Sequence, residues 1–132
     1  MEVQQEVFTA IRQILVDQFG EGNVFDGSLP PEGTSYPFAY LADATENETA
    51  IKGSYRGDVT QTVHIFHDRV RERGTLSRWL QTIKREARRL EDVEGHSLMF
   101  DSAYSRIIPD RSTSVPLMHG VLEITYRYIG GN

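Results

Sequence analysis

Residues Val59 to Leu90 read VTQTVHIFHDRVRERGTLSRWLQTIKREARRL, and within them the hydrophobic period changes from about two to about three and a half. Val59, Val63, Ile65 and His67 alternate with Thr60, Thr62, His64 and Phe66, as a strand with two differently used faces requires. Leu76, Trp79, Leu80, Ile83, Ala87 and Leu90 then recur at three- and four-residue steps, an apolar helical stripe with Thr75 as its candidate N-cap. The same stretch concentrates charge. From Arg69 to Glu91 there are eight basic and three acidic residues, a local balance of +5, so the remainder carries −10 to give the overall −5.

Upstream, Val3, Val7, Phe8, Ile11, Ile14, Leu15 and Phe19 share one side of a first helix, which Gly20 can end at positive φ. Asn23 to Gly27 has room only for a very short strand, and the segment up to Pro37, with three prolines and Gly33, reads as an irregular connection. Phe38 to Glu48 is a strand that begins apolar and ends polar. Thr49 to Asp58 reads as a long connection, giving a hairpin with a protruding tip. Downstream, Leu98, Phe100 and Ser102 alternate with Met99, Asp101 and Ala103, Ser105 to Val115 reads as a second large loop, and Met118, Gly120, Leu122, Ile124, Tyr126 and Tyr128 share one face of a last strand. The order α, short β, β, β, α, β, β predicts an α+β fold. It is a mostly four-stranded antiparallel sheet with two helices packed on one face.

With 132 residues, 39% of them apolar, the chain is sized for one domain spanning 1–132. The absence of cysteine excludes disulfides and thiolate metal sites. The sequence carries no apolar run of membrane-spanning length and no basic leader, so neither a span nor a signal peptide is expected. A pI near 5.3 argues against a dedicated DNA-binding domain.

Catalytic motifs are missing. His64 and His67 have an H-x-x-H spacing, but residues three apart in a strand point to opposite faces, so both cannot reach one metal ion. The glycines at 20, 22 and 27 follow a helix and form no dinucleotide loop, and Ser112 and Ser114 lack a nucleophile-elbow setting. Asp43 has the opposite strand parity from Glu46 and Glu48, so these acids read as a solvated strand end. No enzyme, cofactor or metal is expected. On the second helix Arg78, Arg85 and Arg89 form one flank, with Lys84 and Arg88 on the other. Such a flank is a solvated face, a protein interface or a phosphate-tracking surface; Glu46 and Glu48, or Asp110, on another copy are the candidate acidic partners of Arg78, Arg85 and Arg89. Ile51, Tyr55, Arg56, Ile107 and Ile108 are candidate partner contacts, as large side chains in otherwise polar loops.

Several motifs in order carry a resemblance. Tyr36, Pro37, Phe38, Ala39, Tyr40 and Leu41 open the first long strand; Gln61 to Phe66 followed by Arg73, Gly74 and Thr75 lead into the second helix; Leu117, Met118, His119, Gly120, Val121, Leu122, Glu123 and Ile124 form a closing L-x-H-G strand. Together they resemble the tail completion family of siphophages, also described as tail terminator or tail-to-head joining proteins. The resemblance implies a non-catalytic ring subunit, with six copies capping the tail tube and meeting the head connector in a virion assembled in the bacterial cytoplasm. Genome DNA would pass through the ring without a specific site. The tip from Thr49 to Asp58 matches no motif of that family. Alternatives are another head-tail connector component such as a stopper or adaptor, an unassigned small α+β binding domain, a small hydrolase or metal-dependent enzyme using the histidines, or nucleic-acid binding by the second helix.

Overall fold

The computed structural model describes residues 3–27, 30–90, 92–93 and 96–131. Helix α1 spans Val3–Phe19, and a 3-10 turn, Glu21–Asn23, leads into β1, Val24–Asp26. Strands β2, Phe38–Ile51, and β3, Ser54–His67, precede helix α2, Arg73–Ala87; β4, Asp92–Val93, β5, His96–Asp110, and β6, Leu117–Gly131, complete one sheet. Its strand order is β1-β2-β3-β6-β5-β4. The four long strands are antiparallel neighbours throughout, as the sequence predicts. The sheet is nevertheless mixed and wider than expected, because β1 adds parallel to β2 and the two-residue β4 adds beyond β5.

α1 ends as its sequence requires: Gly20 adopts φ 93° and its N–H bonds the Val16 carbonyl at 2.8 Å. α2 starts earlier than expected. Glu72, not Thr75, is its N-cap, and it contributes no side-chain cap. The Glu72 carbonyl accepts the Thr75 N–H at 3.1 Å, while the Thr75 hydroxyl is taken up by Arg78 at 3.2 Å.

Both helices cover one face. Val7, Ile11 and Leu15 of α1 and Leu76, Leu80, Ile83 and Ala87 of α2 are buried with Ala39, Leu41, Val59, Val63, Ile65, Leu122, Ile124 and Tyr126 in one core. Each large aliphatic side chain so removed from water contributes about 1.5–3 kcal/mol, which must hold the fold because no disulfide can. Gly120 lets α2 approach: a Cβ there would meet Leu76 Cδ1 at 3.1 Å. Tyr126 ties strand to helix by donating its hydroxyl to the Ala87 carbonyl at 2.6 Å.

Two expected loops are sheet instead. β2 and β3 pair to Ile51↔Ser54, with only Lys52 and Gly53, at φ 77°, making the turn, so Thr49 to Asp58 is a strand-paired arm. β5 continues to Asp110, paired with Leu117, so only residues 111–116 remain a loop. Two bulges also shift face parity, one between Leu41 and Ala44 and one between Phe100 and Ser102. The first explains a buried glutamine. Gln61 Nε2 donates to the Ala42 carbonyl, within that bulge, at 3.3 Å and to the Thr62 carbonyl at 3.0 Å. The second puts Ser102 opposite Thr125, on the other face from Leu98 and Phe100, contrary to the expected alternation.

Candidate assembly surfaces

Strand parity fixes what the sheet shows on the side away from the helices. At one end, neighbouring strands align Phe38, Phe66, His119 and Ile108 in one row and Tyr40, His64, Val121 and Arg106 in the next. Rings stack across the strands, Phe66 lying 4.3 Å from His119 and Tyr40 lying 4.9 Å from His64, and Tyr36, just before β2, stacks on Phe38 at 5.4 Å. Toward the arm the same face becomes polar, with Thr60 and Thr125 hydroxyls 2.8 Å apart and Arg127 paired to Asp101 at 3.1 Å.

His64 Nδ1 and His119 Nε2 lie 2.7 Å apart. One of these nitrogens must donate and the other accept, so the contact requires at least one neutral ring. Burial pushes the His119 imidazole down to about 4, helped by His64 beside it; burial also lowers His64, against the opposing pull of Asp43 and Glu123. The unfolded chain therefore binds more protons as pH falls below the ordinary value of 6.5. Stability contributed by the neutral pair is fully present above that pH and is lost progressively as pH falls toward 4. We expect a loss on the order of 1–2 kcal/mol after allowing for solvent screening, read as a lower urea midpoint at pH 5 than at pH 7.5. His119→Gln should flatten that difference; an unaltered pH dependence in the variant would count against it.

His67 is on the opposite face, buried with its ring 5.0 Å from Trp79, as the H-x-x-H parity requires. The pairing of His64 with His119 was not read from the sequence. The signal was available only through the β3–β6 register, which sets Phe66 opposite His119. Among the described residues no group of three or more His, Asp or Glu is placed to hold a metal, and no helix is long and apolar enough to cross a membrane.

The candidate interface residues are separated within the chain. Arg85 and Arg89 line a groove with Asp17 and Ile14 of α1, Arg89 pairs with Glu86 at 3.1 Å, and Arg78 bonds Thr75. Glu46 and Glu48 lie on β2, where the Tyr128 hydroxyl donates to both, at 3.0 Å to Glu48. Burial and these acceptors raise the Tyr128 phenol well above its ordinary range. Of the expected contact residues, Ile51 is exposed at the arm's tip and Arg56 is exposed on β3. Tyr55 instead packs across Gly130 and edge-on to Tyr128, Ile107 packs against the core, and Ile108 faces away from the helices beside His119.

No protein-family model and no curated protein matches this chain. Among solved structures it is similar to a chain described as part of the virion of a native gene transfer agent particle, with a TM-score of 0.61, 14% sequence identity, and 98% of this chain and 95% of that chain covered. At that identity the likeness establishes a shared fold.

Proposed function

We propose that this chain is a structural protein of a phage-like virion, a ring subunit that closes the tail tube and joins it to the head connector without catalysis. The observation that carries the reading is the fold likeness to a gene transfer agent virion chain over nearly the full length of both. The tail-completion motifs support the finer position. So does the division of charge, with a basic α2 and an acidic β2, because a cyclic assembly uses two different patches on each subunit. Burial would supply most of the association free energy, with charge pairs setting register and rate.

The test is to add purified protein to polymerising tail tubes. Tubes should stop growing and carry a disc at one end, and tail tube protein should copurify with the chain. Copurification of connector protein alone would favour a stopper or adaptor. Unaltered tubes with neither protein recovered would overturn the reading.

A further inference from the structure

Among the described residues both outer edges of the sheet are largely open: β1 pairs only with Ala39–Leu41 of β2, and β4 only with His96 and Ser97 of β5. Beyond the bulges this leaves two regular runs without a strand partner among the described residues, Ala44–Ile51 on β2 and Ser102–Asp110 on β5. The β2 run holds no Lys, Arg or Pro, residues that commonly blunt an edge, and Tyr104 on the β5 run is 56% exposed.

We propose that copies of this chain join edge to edge, the β5 run of one subunit adding to the β2 run of the next, so that one antiparallel sheet runs around the assembly. The proposal rests on the ring reading above and specifies its subunit contact. Strand direction permits it: β2, β3, β6 and β5 alternate, so β2 and β5 are antiparallel to each other. A second copy moved sideways in the plane of the sheet continues the alternation with its helices on the same side.

Charge selects this pairing over a twofold one. Residues 38–51 carry Asp43, Glu46 and Glu48 and no basic residue, so β2 against β2 would oppose like charges. α1 packs beside Trp79 and Glu86 of α2, so helical spacing turns Arg73, Lys84 and Arg88 toward the β5 side, where β5 against β5 would bring these cations together. Joining β5 to β2 sets the basic flank beside the acidic strand. Matching both runs and both faces sets Ala44 opposite Pro109 and Ile51 opposite Ser102, which puts Asn47 opposite Arg106 and Thr49 over Tyr104. The two runs lie at opposite ends of the sheet, since Ala44 is level with Ile124 of β6 whereas Asp110 is level with Leu117. Neighbours are therefore staggered along the strands, and a closed sheet requires stagger of this kind.

The cysteine-free sequence makes the test direct. Asn47→Cys combined with Arg106→Cys, oxidised after assembly on tail tubes, should give a ladder of covalent oligomers on a non-reducing gel. Within one subunit these positions are separated by β3 and β6, about 14 Å of strand spacing, so the bond cannot form internally. An equal ladder from Asn47→Cys with Ser112→Cys, or efficient dimers from Arg106→Cys alone, would overturn the pairing. Rings seen by electron microscopy without the ladder would overturn it while leaving the ring reading intact, whereas a monomer in the presence of tubes would overturn both.

Discussion

Tyr126→Ala is expected to destabilise the chain by about 3–5 kcal/mol, the range for deleting a fully buried large aromatic. Tyr126 is wholly buried, packs edge-on to Phe100 at 5.9 Å, and holds the last turn of α2 through the Ala87 carbonyl. Losing the ring opens a cavity where β6 supports α2. Tyr126→Phe separates the contributions: it keeps the ring and removes the hydroxyl, and should cost about 1–2 kcal/mol because the Ala87 carbonyl loses its donor. A small domain has only about 5–15 kcal/mol in total, so the alanine variant should be partly unfolded near physiological temperature. Urea unfolding followed by Trp79, the single tryptophan, reports it, since that ring packs between Phe19 and His67. Equal midpoints for wild type and Tyr126→Ala would show that the strand-to-helix tie is not structural.

The second large effect is expected at Gly57. A Cβ there would lie 2.5 Å from the Asn47 carbonyl oxygen and 2.6 Å from the Tyr128 hydroxyl. The nearer contact is backbone, so β2 and β3 would have to part, and the Tyr128 side chain would be pushed off Glu46 and Glu48. Gly57→Ala should cost about 2–3 kcal/mol by overpacking, with the loss concentrated in the arm. Faster hydrogen exchange at Asn47 and Asp58, with the α1 and α2 amides protected as before, would be the signature. Gly22→Ala is the control, because nothing lies within 4 Å of its Cβ position. Similar costs for the two substitutions would mean that Tyr128 does not need the space above Gly57.

The elements legible in the sequence are those with one dry side. α1, α2, the Val59–His67 half of β3 and the Leu122–Tyr128 part of β6 each bury one face, which imprints a period on their apolar residues. The arm lacks that imprint. Thr45, Asn47, Glu48, Thr49 and Ala50 are exposed on both faces, so their strand character comes from pairing with β3 across the Lys52–Gly53 turn. β5 is obscured for a related reason: the bulge at Asp101 reverses parity midway, and Pro109 falls where a strand is normally ending. β4 is too short to leave any pattern.

For the candidate surfaces, local charge was visible and spatial grouping was not. Arg78 and Arg85 are exposed on α2 as their spacing predicts, and Arg89 is exposed in the turn just past its end. Which helix flank borders an open strand edge depends on where α1 packs, and that points to Arg73, Lys84 and Arg88. Glu46 and Glu48 share one face as expected, but Tyr128 reaches them only because β3 presents a glycine between the strands. The His64–His119 contact likewise depends on the register of strands distant in sequence.

The central proposal is that this chain builds a ring at the junction of tail and head in a phage-like particle. Gold labelling of the chain in intact particles, viewed by electron microscopy, tests it most directly. The expected result is label confined to the head-proximal end of the tail, and particles lacking the chain should leave heads and tails unjoined. Label along the tail shaft or at the distal tip, or normal joined particles without the chain, would contradict it.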